Sequence, residues 1–66
     1  MADKVKAAHA MALVLVSRLT DSSIALVLDD VDTAIETIEL STGDIFTERE
    51  RVLVGDLVAE SIGRPL

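Results

Sequence analysis

Apolar residues recur at steps of three and four through the middle of the chain. The apolar residues of this stretch are Ile24, Val27, Leu28, Val31, Ala34, Ile35 and Ile38. Because an α-helix completes a turn about every 3.6 residues, residues at these steps lie on one side of it. The pattern predicts a helix over about residues 23–40 with one buried face.

A second amphipathic stretch follows after Gly43, a residue suited to the left-handed conformation that ends a helix. Thr47 and Glu50 have the Thr-x-x-Glu spacing of a capping box, which marks the start of a helix. The apolar residues that follow are Val54, Leu57, Val58 and Ile62. We predict a helix over about residues 48–62, ending before Gly63.

Gly55 interrupts this last predicted helix. A glycine inside a helix costs about 1 kcal/mol relative to alanine. Together with Ala59, one turn later, it could mark a strip where another helix packs closely. The alternative is a glycine that the helix surface simply tolerates.

The first segment is apolar on almost every side. One stripe comprises Val5, Ala8, Ala12, Leu15 and Leu19, and it predicts a helix over about residues 2–19. Met11, Leu13, Val14 and Val16 are apolar as well and point around most of the circumference. Because two neighbouring helices cannot cover all these sides, we expect Met11, Leu13, Val14 and Val16 to mediate self-association.

The three segments predict an all-α fold, a single three-helix domain over residues 1–66 that assembles into a dimeric or larger helical bundle. An α+β alternative stays open at this point. Residues 37–47 could form a short β-hairpin around Gly43 instead of a helix end and a loop.

Size and composition strengthen the expectation of an oligomer. A 66-residue chain buries only about 60% of the surface that its unfolded form exposes, so its stability is marginal without reinforcement. The chain has no cysteine and a single histidine, which excludes disulfides and conventional zinc sites. Association with another copy is the remaining means of reinforcement.

The charge and the lack of aromatic residues narrow the range of partners. Twelve acidic against six basic residues give a net charge of −6, which disfavours nucleic acid and anionic membranes. Phe46 is the only aromatic residue, so few side chains could stack on a base or a flat cofactor. The apolar run over residues 7–16 is too short to span a membrane, and no signal-peptide cleavage pattern follows it. We expect a cytoplasmic protein without a cofactor.

Four carboxylates lie on the polar side of the second predicted helix: Asp29, Asp32, Glu36 and Glu39. A solvated acidic face is the simplest interpretation, because a metal site usually gathers ligands from several elements. The alternative is a face that binds a basic protein, as an acidic regulator or antitoxin-like inhibitor would. Arg49 and Arg51, in the first turn of the third predicted helix, could also pair with these carboxylates.

Catalytic chemistry has little support in the sequence. His9 has no nucleophile or carboxylate at a suggestive spacing, which favours a structural role. Asp21-Ser22 resembles the start of the Asp-Ser-Leu motif of acyl carrier proteins, but Ser23 stands where that motif has leucine. The long loop that precedes the modified serine in carrier proteins is also absent, so helix capping is the favoured explanation of these residues. We therefore predict a non-enzymatic interaction module, such as an assembly adaptor or structural subunit.

Overall fold

The computed structural model describes residues 3–19 and 23–63, and these ranges contain three helices and no strand. Helix α1 spans Asp3–Val16, α2 spans Ile24–Thr42 and α3 spans Glu48–Ile62. The predicted all-α three-helix fold is confirmed. The hairpin alternative for residues 37–47 is wrong, because α2 continues through Thr42 and an extended loop leads directly into α3.

The connection between α2 and α3 has the predicted local structure. Gly43 adopts a left-handed conformation with φ 76°, and its N–H donates to the carbonyl of Glu39 at 2.9 Å. The Thr47 hydroxyl accepts from the Glu50 N–H at 3.2 Å, and the Glu50 carboxylate accepts from the Thr47 N–H at 2.9 Å. The capping box is therefore present, and α3 begins at Glu48 as predicted.

Helix α1 ends at Val16, three residues before the predicted end. The Ser17 hydroxyl donates to the carbonyl of Val14 at 2.7 Å, and the Arg18 and Leu19 amides bond to carbonyls three residues back. Hydrogen bonds that reach three residues back, and not the four of an α-helix, form a tighter turn, so the α-helix ends here. Ser23 occupies the N-cap position of α2, whereas Asp21 and Ser22 lie outside the described residues.

The core lies between α1 and the other two helices. Its buried side chains are Val5, Ala8, Ala12, Val27, Val31, Ala34, Ile35, Phe46, Val54 and Val58. Three of them are alanines, and such small side chains let the helices approach closely. The predicted inner stripes of all three helices supply this core, with Phe46 added from the loop before α3.

Helix α1 packs along both of the others, whereas α2 and α3 contact each other at far fewer positions. Ile24 and Leu28 belong to the predicted apolar stripe of α2, yet they are 44% and 43% exposed. They remain exposed because α3 does not cover this edge of α2. The separation of α2 from α3 leaves a groove between them.

Candidate protein-binding surfaces

The side of α1 that points away from the core is largely apolar. We call it the α1 outer surface, and it comprises four apolar residues with Asp3 and Lys6 at one end and Ser17 at the other: Ala7, Ala10, Leu13 and Val14. Val14 is 53% exposed and Leu13 is half-buried. The outer side of a helix that packs on a core is normally polar or charged. An apolar outer surface therefore makes α1 a candidate for contact with another protein.

The structure divides the four residues that were predicted to mediate self-association. Met11 and Val16 lie at the edges of the buried stripe and pack against the core of their own chain. Leu13 and Val14 lie on the α1 outer surface. Only these two are placed to contact another copy, and self-association through them stays a prediction.

The groove between α2 and α3 has a volume of about 430 Å³ and an apolar lining. Val31 and Ile35 are buried at its base, while Leu28 and Val52 are exposed beside it. Gly55 also lines the groove, and a Cβ atom added there would meet no other atom within 4 Å. No part of the described chain packs on Gly55, so the close approach that this glycine permits is unused within one copy.

The charged residues that line the groove give it an acidic margin. Asp32, Glu48 and Asp56 are all exposed. Among the described residues, Arg51 is the single cationic residue in the lining, and its guanidinium lies 3.4 Å from a carboxylate oxygen of Glu39. Because Glu39 neutralises Arg51, the groove presents an excess of negative charge to a ligand.

The predicted acidic face of α2 is only partly free. Asp29, Asp32 and Glu36 are exposed, but the Glu39 side chain is 11% exposed and engaged within the chain. Its carboxylate accepts a hydrogen bond from the Phe46 N–H at 2.8 Å and pairs with Arg51, as the sequence suggested for that arginine. Binding of a basic protein by the other three carboxylates stays a prediction. Salt-sensitive capture that is lost on charge reversal at Asp32 and Glu36 would support it.

Lys4 links α1 to the loop before α3 through three contacts. Its Nζ donates to the carbonyl of Ile45 at 3.2 Å, lies 3.2 Å from Glu50 Oε1 and sits 5.2 Å from the centre of the Phe46 ring. The last distance is within the range of a cation–π interaction. Lys4 and Glu39 therefore both bind the loop, Lys4 at Ile45 and Glu39 at Phe46, whose side chain is buried in the core.

Low pH should destabilise the fold, because it protonates the carboxylate of Glu50 and so weakens the contacts that this carboxylate makes. The hydrogen bond from the Thr47 backbone N–H lowers the pKa of the Glu50 carboxyl, and the Lys4 ammonium lowers it further. Burial raises the pKa, but the net shift is downward from 4.5. A folded pKa below the unfolded one stabilises the fold above the unfolded value, and this contribution is lost as the pH falls through the folded pKa. Glu50→Gln should therefore lose less stability than the wild type between neutral pH and about pH 3.

Urea unfolding at a series of pH values measures this difference. Glu48→Gln changes an exposed carboxylate in the same first turn of α3 and serves as the matched control. The control should follow the wild type more closely than Glu50→Gln does. Equal acid sensitivity of the Glu50 variant and the wild type would contradict the assignment.

A contact that sequence reasoning missed joins α1 to α3. His9 Nε2 lies 3.0 Å from the hydroxyl of Ser61, although the two residues are 52 positions apart. Catalysis by a serine–histidine pair usually also needs a group that orients the ring and donors for an oxyanion. No carboxylate in the described part of the chain bonds to this ring. We interpret the pair as a hydrogen bond between helices, which agrees with a structural role for His9.

Within residues 3–19 and 23–63, no three acidic or histidine side chains gather closely enough to hold a metal ion. None of the three described helices combines the length and apolar character needed to cross a membrane. Comparison of the chain with family models, curated proteins and solved structures finds no match. The surfaces described above are therefore the basis for a functional proposal.

Proposed function

We propose that this protein is a non-enzymatic interaction module that self-associates through α1 and serves as an assembly adaptor or structural subunit. The observation that carries the proposal is the α1 outer surface, where Ala7, Ala10, Leu13 and Val14 face away from the core. The inner side of α1 is already occupied by α2 and α3. A helix that is apolar on both sides has a second side to bury.

The energetics support association. Removing apolar surface from water contributes about 25 cal/mol per Å², and a contiguous exposed apolar patch commonly marks an interface. The core is built from aliphatic side chains and one phenylalanine, and the chain has no cysteine to form a disulfide. Burial of the α1 outer surface against a second copy would add to the limited stability of so small a domain.

Val14→Glu should abolish the self-association while leaving the fold intact. Val14 is more than half exposed, so a glutamate there remains solvated in the single copy but is buried without a partner in the assembly. Light scattering coupled to size-exclusion chromatography should show a mass above one chain for the wild type and the mass of one chain for the variant. Circular dichroism should show equal helicity for both.

Two further variants make this test specific. Leu40→Glu places a charge at an apolar position that is 81% exposed and lies in the last turn of α2. Because this position is not part of the α1 outer surface, the variant should have the wild-type mass. Val16→Glu places a charge against the core and should unfold the chain instead of dissociating a folded one. A Val14→Glu variant that retained the wild-type mass would contradict self-association through α1.

A further inference from the structure

We propose that two copies pair their α1 outer surfaces in antiparallel orientation, across a two-fold axis near Ala10, to form a symmetric dimer. The inference rests on the proposed self-association and adds the geometry and the contacts of that interface. Along the α1 outer surface, Asp3 and two alanines come first, larger apolar residues follow, and Arg18 lies just beyond the end. Such a surface is complementary to its own reverse, which assigns a second copy of this chain as its partner.

The centre of the α1 outer surface has the spacing of a contact between two helices. Five exposed residues follow one another at alternating steps of four and three: Asp3, Ala7, Ala10, Val14 and Ser17. Residues at these steps lie in one row along a helix, and two helices that pack side by side at a small angle meet along such rows. The row runs the whole length of α1.

The side-chain sizes along this row fit an antiparallel pair. With the two-fold axis near Ala10, the two copies of Ala10 meet, and each Ala7 lies opposite the partner's Val14. The valine of one copy then fills the space beside an alanine of the other, so the helices pack closely along the row. A parallel pair would instead place Val14 opposite the partner's Val14. These valines would hold the helices apart and leave the alanines without contact.

Charge favours the same orientation. Asp3 lies seven residues before Ala10 and Arg18 lies eight residues after it, so an antiparallel pair brings each Asp3 beside the partner's Arg18. Both residues are exposed, and neither forms an ion pair with another residue that the structure describes. The two-fold symmetry makes this contact twice. A parallel pair would place Asp3 beside the partner's Asp3, where like charges repel.

Lys6 is compatible with this pairing. Successive residues of an α-helix are turned by about 100°, which places Lys6 and Leu13 on one flank of the row. Ala7 and Val14 lie on the other flank, and Arg18 follows Val14 by one turn on that side. The two-fold axis of an antiparallel pair brings each flank to the same flank of the partner. Lys6 therefore lies beside the partner's Leu13, away from Arg18, and its long side chain keeps the ammonium in solvent.

Charge reversal at the two ends tests the predicted ion pairs. Asp3→Arg and Arg18→Asp each create like charges across the interface, so each variant should dimerise about tenfold more weakly than the wild type. The double variant restores opposite charges and should dimerise as the wild type does. Sedimentation equilibrium measures all three. Net charge alone predicts the opposite for Asp3→Arg, because this change reduces the net charge from −6 to −4 and so reduces repulsion between copies.

Lys6→Glu is the matched control for these variants. It reverses a charge on the same surface, but Lys6 has no charged partner in the antiparallel pair. Its dimerisation should stay within about threefold of the wild type. Circular dichroism checks that each variant remains helical.

Disulfide formation tests the orientation without relying on charge, since the chain has no cysteine of its own. In the antiparallel pair, Ala7 lies opposite the partner's Val14 but about 10 Å along the axis from the partner's Ala7. This separation is too long for a disulfide. A mixture of Ala7→Cys and Val14→Cys should therefore form a mixed disulfide under mild oxidation, whereas Ala7→Cys alone should form none. Intact-mass measurement identifies the products.

The outcomes separate this inference from the proposed function. A disulfide dimer of Ala7→Cys alone, or no mixed disulfide in a protein that associates, would overturn the antiparallel pair. Wild-type dimerisation by both single charge variants would overturn it as well. All of these results leave self-association through α1 standing. A wild type that is monomeric at high micromolar concentration would overturn both proposals.

Discussion

Phe46→Ala is expected to lower the free energy of unfolding by about 3–5 kcal/mol, the cost of emptying a buried aromatic site. Phe46 is 4% exposed and contacts the core from the loop before α3, and its ring also faces the ammonium of Lys4. A domain of this length has a total stability of roughly 3–10 kcal/mol. The variant should therefore be largely unfolded or only marginally folded in urea titrations followed by circular dichroism.

The neighbouring residue provides the control for this prediction. Ile45 is 72% exposed, so Ile45→Ala should change the free energy of unfolding by about 0.5 kcal/mol or less. Phe46→Leu should fall between the two, because leucine fills part of the site. A loss below about 1 kcal/mol for Phe46→Ala would show that the loop does not contribute to the core as described.

Glu39→Ala is expected to lower the free energy of unfolding by about 1–3 kcal/mol. The substitution leaves the partly buried N–H of Phe46 without its acceptor and releases Arg51. The lost acceptor dominates this effect, since the guanidinium of Arg51 is substantially exposed and such pairs contribute at most about 1 kcal/mol. Thermal or urea unfolding at neutral pH measures the loss.

Two other substitutions in α2 test whether the lost hydrogen-bond acceptor causes this loss of stability. Glu39→Gln keeps a side-chain oxygen that can accept from Phe46, so it should retain more than half of the stability that Glu39→Ala loses. Glu36→Ala removes an exposed carboxylate one turn earlier on α2 and should have little effect. Equal losses for Glu36→Ala and Glu39→Ala would contradict a structural role for the Glu39 carboxylate.

Local sequence patterns predicted most of the fold because they depend on neighbouring residues alone. The capping box at Thr47 and Glu50 and the left-handed Gly43 located the α2–α3 connection. The end of α1 was less predictable, because Leu19 continues the apolar stripe and packs on the core without belonging to the helix. Burial of a side chain does not by itself reveal whether its backbone is helical.

The candidate surfaces were less predictable than the helices. The excess of apolar residues in α1 was evident from the sequence, but which of them would be covered by α2 and α3 depends on how the helices pack. The structure covers Met11 and Val16 and leaves Val14 exposed. The groove was not predicted, because it arises from the separation of α2 and α3. The one signal of the groove in the sequence is Gly55, a residue that permits close packing of another helix.

Self-association of the wild-type chain is the central claim, and sedimentation equilibrium over a concentration series from low to high micromolar tests it most directly. The weight-average mass should begin near the 7.1 kDa of one chain and rise steadily with concentration. A mass that stays at one chain throughout the series would contradict the account.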